Sequence, residues 1–229
     1  MTDAAAPHYT LYGAPGSGAV PVHAALTLIG APVQTVDMAP WESEAERERA
    51  AQVNPARQVP ALRTPEGELL TESAALLIWL GDRHPQAGLA PAIDHPLRGQ
   101  YLRWMSYVAT QIYALFWVRD EPSRLVPDAA AQPALLELSA QRIAHCWQLM
   151  DRQMRDITPT GAPYLLGERI GMLDLYVAVV SRWTPRRARF AKEAPHLMAA
   201  VRRVDAEPRL QAFWAERFPF TADDAVAGD

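Results

Sequence analysis

The chain has 229 residues, 49% hydrophobic and 21% charged, with a formal net charge of −4. That is a globular composition, enough for one large domain or two small ones, and it excludes a disordered chain. The acidic balance predicts no nucleic-acid partner and no anionic membrane surface, and no apolar run approaches the ~20 residues of a membrane span.

The single cysteine, Cys146, excludes an intramolecular disulfide and a cysteine-rich metal site. The six histidines lack paired-ligand spacing, so no metal is expected. Residues 1–7 lack the apolar stretch of a signal peptide, and the reading is a cytoplasmic protein.

In chain order, 8–12 (HYTLY) reads as a strand stopped by Gly13-Ala14-Pro15-Gly16. Residues 20–29 have helical spacing and end at Gly30, 32–38 reads as a second strand, and charged 42–49 is a solvated helix or loop. Two short strands, 59–63 and 68–71, flank a Pro-Gly turn as a hairpin. An amphipathic helix follows over 73–83, and a proline-rich linker over 84–96. Beyond the linker the pattern is helical, over 97–119, 133–157, 174–183, 194–204 and 208–217. The polar end, 221–229, is expected to fray. The predicted domains are 7–84, small and α/β, and 96–220, all-helical.

The chain carries NPARQVPAL at 54–62, LLTESAA at 69–75 and YLLGE at 164–168 with Asp174 beyond, and in this order these motifs resemble those of the glutathione S-transferase family. Asn54-Pro55-Ala56-Arg57-Gln58-Val59-Pro60-Ala61-Leu62 resembles its NPxGxVPxL segment, and Leu69–Ala75 (LLTESAA) its LxESxAI turn. Tyr164-Leu165-Leu166-Gly167-Glu168, with Asp174 beyond, resembles the start of its buried helix. The likeness spans about 9–214, and bacterial beta-class members are most similar over 53–82 and 103–116. The resemblance implies a thioredoxin-like α/β domain followed by an all-α bundle, a homodimer, and glutathione as co-substrate with no metal. It implies transfer of the glutathione thiolate to a hydrophobic electrophile. A glutathione-dependent isomerase or dehalogenase, or a ligand carrier without turnover, are the alternatives.

The residues suit a thiol tripeptide. An extended peptide is held by main-chain hydrogen bonds from a strand edge, the role the resemblance gives to Gln58, Val59 and Pro60 through a cis Val59–Pro60 bond. Glu72 and Ser73 open a helix, where N–H groups and a hydroxyl attract a carboxylate while Glu72 pairs with an ammonium. A thiol with a pKa of about 8.5 is mostly protonated at neutral pH, so a donor near a helix N-terminus favours the reactive anion. Pro15-Gly16-Ser17-Gly18 resembles the loop of delta-class and other serine-type transferases and makes Ser17 the catalytic candidate. A register one residue later puts Gly18 there instead, and Tyr9 and Tyr12 are rivals.

The departures from the beta class are Trp41 where a glycyl-carboxylate lysine stands, Gly171 at a Ser/Thr cap, and Tyr113-Ala114 in place of a His-Lys pair. Aromatic residues of 97–119 form two stripes, and Tyr113, Tyr107 and Trp117 are the acceptor-pocket candidates. Leu77, Trp79 and Leu80, with Arg103, Ser106 and Gln111, are the candidate dimer contacts.

Overall fold

The structure is a computed structural model that describes residues 8–224. The chain divides into two compact units. The first comprises the described chain to Ala87 together with Pro208–Pro219, and the second comprises Gly88–Glu207 and 220–224.

The first unit runs β1 (Tyr9–Gly13), α1 (Val20–Ile29), β2 (Val33–Asp37), α2 (Glu44–Ala51), β3 (Ala61–Arg63), β4 (Leu69–Thr71) and α3 (Ser73–Arg83). The sheet order is β2-β1-β3-β4. β1 pairs with β2 in parallel, Leu11 opposite Thr35, and with β3 antiparallel, Leu11 opposite Leu62. This is the small α/β domain that the pattern predicts, with the thioredoxin-like mixed sheet that the family resemblance implies. Leu11, Leu26, Leu62, Leu76, Leu77 and Leu80 are fully buried within it.

α1 ends at Gly30, whose φ of 75° lets its N–H close the last turn. α2 resolves the helix-or-loop ambiguity, because Ser43 caps it by accepting the Glu46 N–H at 3.1 Å. Arg57 stands where the family pattern has glycine and is held at φ 58°, paired with Glu44 and Glu48 at 3.0 and 2.7 Å.

The second unit is helical: α4 (Arg98–Tyr107), a π-helical turn (Val108–Tyr113), α5 (Ala114–Asp120), α6 (Gln132–Ile157), α7 (Met172–Val180), α8 (Arg186–Glu193) and α9 (Pro195–Asp205). α7 is buried on every side, which is why its nine residues are apolar apart from Asp174 and Tyr176. The Asp174 carboxylate accepts the N–H groups of Leu165 and Gly171, both at 2.9 Å, while burial pushes its pKa up to about 7. Only this half of a capping box can exist. A Cβ on Gly171 would lie 3.1 Å from the Leu89 carbonyl, which already takes the Met172 N–H.

α10 (Gln211–Arg217) packs with the first unit, although the sequence pattern grouped it with the helices before it. His23 of α1 meets Phe213 edge to face at 5.0 Å, and Arg217 pairs with Asp37 at 2.7 Å. Burial, helped by the Arg217 charge, pushes the His23 pKa down to about 4. Because this lies below the ordinary value of about 6.5, the neutral ring is favoured in the fold. The associated stability is present above pH ~6.5 and is lost as pH falls toward ~4. The wild-type urea midpoint should therefore drop more steeply with acid than that of His23→Leu, by the equivalent of about 1–2 kcal/mol.

Candidate active site

β1 delivers the chain into a tight loop at the start of α1. A Cβ on Gly13 would sit 2.2 Å from the Ala19 Cβ, so only glycine lets the strand end pass this close. Ser17 is 7% exposed. Its hydroxyl donates to the Ala14 carbonyl at 2.6 Å and accepts the N–H groups of Ala14 and Ala19, each at 3.2 Å. The Ser17 proton is thus committed to the loop. The neighbouring Gly18 N–H is buried and has no partner among the described residues. Gly16 donates to the Arg217 carbonyl at 3.0 Å, so α10 holds the loop from outside its own sequence. The rival tyrosines differ in setting: Tyr9 is buried and meets His84 at 2.8 Å, whereas Tyr12 is half-buried.

The Val59–Pro60 bond is cis. Regular pairing of β3 begins at Ala61, shorter than the 59–63 strand expected, because proline has no N–H to give the ladder. The Val59 N–H and carbonyl consequently have no partner among the described residues. The Gln58 carbonyl is occupied by the Asn54 side-chain amide at 3.0 Å, and the Gln58 residue is exposed.

Glu72 is exposed and held at φ 67°, ψ 104°, a backbone region in which non-glycine residues are strained. It precedes the buried Ser73, the first residue of α3, and no side chain caps that helix. Trp41 is 53% exposed in the turn before α2.

In the second unit the π turn separates the two aromatic stripes. Tyr107, before it, packs edge-on against Trp104 at 5.2 Å and donates to the Cys146 carbonyl at 3.2 Å. Burial holds its phenol well above the ordinary range. Tyr113, at the end of the turn, meets Trp183 at 4.9 Å, Tyr176 at 6.3 Å and Phe116 at 6.4 Å. Tyr107 is therefore a packing residue of a different cluster from Tyr113. Trp117 is 43% exposed beneath the Arg124 guanidinium, which lies 4.8 Å from its ring centre. The shared stripe of Tyr113 and Phe116 was read from the sequence, whereas Trp183 was missed as a partner of Tyr113. The signal for Trp183 was an aromatic residue directly after α7, in a segment read as plain helix.

Among the described residues no group of three His, Cys, Asp or Glu side chains could hold a metal, and no helix is long and apolar enough to cross a membrane.

The glutathione S-transferase N-terminal domain model matches residues 11–88. The uncharacterized GST-like protein YncG of Escherichia coli K12 is 31% identical over 202 residues, 88% of this chain and 94% of that one. The chain belongs to the glutathione S-transferase family. Glutathione S-transferase GstA of Escherichia coli O157:H7 is 28% identical over 162 residues, 69% of this chain and 73% of that one. Among solved structures, a glutathione transferase homolog from Sulfitobacter with bound glutathione is 25% identical. It superposes with a TM-score of 0.77, covering 92% of this chain and 99% of that one.

Two substitutions test the local geometry. Glu72→Gly should raise stability by about 1 kcal/mol, read as a higher thermal midpoint, because glycine adopts the strained φ freely. Gly13→Ala should lower it by about 1–3 kcal/mol, because the new methyl must displace Ala19.

Proposed function

We propose that the chain is a glutathione transferase of beta-class-like affinity with a serine-type loop, adding the glutathione thiolate to a hydrophobic electrophile. The observation that carries this reading is the open Val59 N–H and carbonyl beside the short strand β3. It is a pair of backbone groups with no partner among the described residues, the edge an extended tripeptide requires. The uncapped start of α3 suits the γ-glutamyl end, with Ser73 and the first-turn N–H groups on its carboxylate and Glu72 on its ammonium. Gln58 adds its exposed amide to the same edge. Trp41 offers no charge to the glycyl carboxylate, so affinity rests on the γ-glutamyl end and the backbone.

At the loop, the positive end of the α1 dipole and the buried Gly18 N–H favour a thiolate. Ser17 joins them when its proton turns from the Ala14 carbonyl to the sulfur. The sulfur lone pair then forms a bond to the electrophilic carbon and the leaving group departs with the bonding electrons. The aromatic cluster around Tyr113 in the second unit receives the apolar body of the electrophile. Glutathione-dependent isomerisation or dehalogenation would use the same thiolate. A carrier without turnover is favoured by one observation, the commitment of the Ser17 proton to Ala14.

Retention on immobilised glutathione followed by turnover of an aryl-halide and epoxide panel tests the reading, and retention without turnover would favour the carrier. Ser17→Ala should reduce kcat on the order of tenfold or more with glutathione KM nearly unchanged. It should also cost about 1–3 kcal/mol of stability, because two buried N–H groups lose their acceptor. Ser73→Ala should raise the glutathione KM on the order of tenfold, the loss of one hydrogen bond to a charged group.

A homodimer is part of this proposal, though not through the α3 face. Leu77 and Leu80 are fully buried in their own unit, and Trp79 lies 6.3 Å from Tyr9. Arg103 is engaged with Gln153, and Gln111 with Arg142, which leaves exposed Ser106 and Leu102 for a partner. Light scattering near twice the 25.3 kDa chain mass is the expected result.

A further inference from the structure

The polar end of the chain does not fray where it is described. Residues 225–229 lie outside the described residues, but Thr221–Asp224 is tied to the connector between α7 and α8, and that connector carries Trp183. The side chains of Arg182 and Asp224 are 2% and 8% exposed. They meet at two points, Nε to Oδ1 at 3.1 Å and Nη2 to Oδ2 at 2.9 Å. The Phe220 ring lies 4.5 Å from the guanidinium carbon. The N–H and hydroxyl of Thr221 both donate to Asp224 Oδ2, at 2.8 and 2.9 Å, which fixes the carboxylate in a closed turn. An exposed second pair, Arg186 with Asp223 at 3.3 Å, lies beside it.

Stability does not explain such a pair. Dehydrating two charges costs several kcal/mol, and two apolar side chains would join the segments as well. What a planar, two-point contact supplies is orientation. The residue directly after Arg182 is Trp183, whose ring closes on Tyr113 at 4.9 Å and on Phe116 at 5.1 Å. Arg187, one turn further on and fully buried, donates to the Ala178 carbonyl at 2.8 Å and to Asp205 at 3.0 Å, so the connector is anchored beyond Trp183 as well. Between these anchors lies Trp183, directly after Arg182 in the chain.

We propose that the Arg182–Asp224 pair is a positioning latch that sets Trp183 as one wall of the acceptor cluster and thereby selects the size of the electrophile. This rests on the acceptor role proposed for Tyr113. With the latch closed, Trp183 lies against Tyr113 and Phe116 and the cluster suits a compact, single-ring electrophile. With it loosened, the indole swings out and a fused-ring electrophile gains access. Arg182 and Asp224 act only through Trp183 and touch neither substrate.

The test uses the full chain with a single-ring nitroaryl halide and a fused-ring analogue. Asp224→Asn should raise KM for the single-ring acceptor on the order of fivefold, lower the single-ring to fused-ring ratio of kcat/KM, and leave the glutathione KM unchanged. Arg182→Lys, which keeps the charge but loses the two-point contact, should do the same and serves if Asp224→Asn folds poorly. Asp223→Asn, which breaks only the exposed pair, should change none of these. Lower melting temperatures with unaltered acceptor KM and ratio in both latch variants would overturn the latch. Tyr113→Ala, measured in parallel, separates the two readings. If it too leaves acceptor kinetics unchanged, the acceptor role of the cluster is what fails; if it changes them while both latch variants are silent, the latch alone fails.

Discussion

One hydroxyl holds the candidate active site in shape. Ser17 Oγ makes three hydrogen bonds within six residues of chain, one given and two received, and closes the loop between β1 and α1 on itself. The loop can be this tight only because Gly13 leaves the strand end without a Cβ against Ala19. Everything proposed for the thiol depends on that economy. The hydroxyl absorbs the Ala14 and Ala19 N–H groups, which leaves the Gly18 N–H as the buried donor without a partner among the described residues, at the positive end of α1. A looser loop would let water satisfy these groups, and the anion would lose its preference for the site.

The first unit was largely legible in the sequence because its signals are local. The bounds of α1 and α3 are those read from spacing and from Gly30, and the β-α-β and hairpin grammar accounts for the neighbours β1-β2 and β3-β4, though not for β1 beside β3. The cis Val59–Pro60 bond came from the family resemblance and not from residue chemistry. What could not be read was longer in range. His23 belongs to a core with Phe213, far along the chain, and Asp37 finds Arg217 in the same way. The arginine-rich helix α8 carried no apolar period, since its inward face is a buried guanidinium, Arg187, beside Phe190.

The second unit shows how a single register change defeats periodicity. An α-helix continued from Trp104 through Trp117 would carry its aromatics round at a constant angle. The π turn instead closes with the Ala114 N–H on the carbonyl of Ala109, five residues back, and so inserts one residue. Tyr107 is left facing α6, while Tyr113 and Phe116 are carried round to α7 and its connector. The two stripes were visible in the sequence. Their separation by a π turn was not, because no residue type marks it.

The return of Pro208–Pro219 to the first unit bears on how the protein is made. During synthesis the N-terminal α/β segment emerges first and can begin to fold while the helices are still being translated. Its strands have all their ladder partners by then, yet Gly16 lacks the Arg217 carbonyl, His23 lacks the cover of Phe213, and Asp37 lacks Arg217. The loop that would hold the thiol is therefore completed only after some two hundred residues have been added. A ribosome that stops short of α10 releases a sheet of ordinary appearance whose loop, already closed by the Ser17 hydroxyl, lacks the outside support of the Arg217 carbonyl.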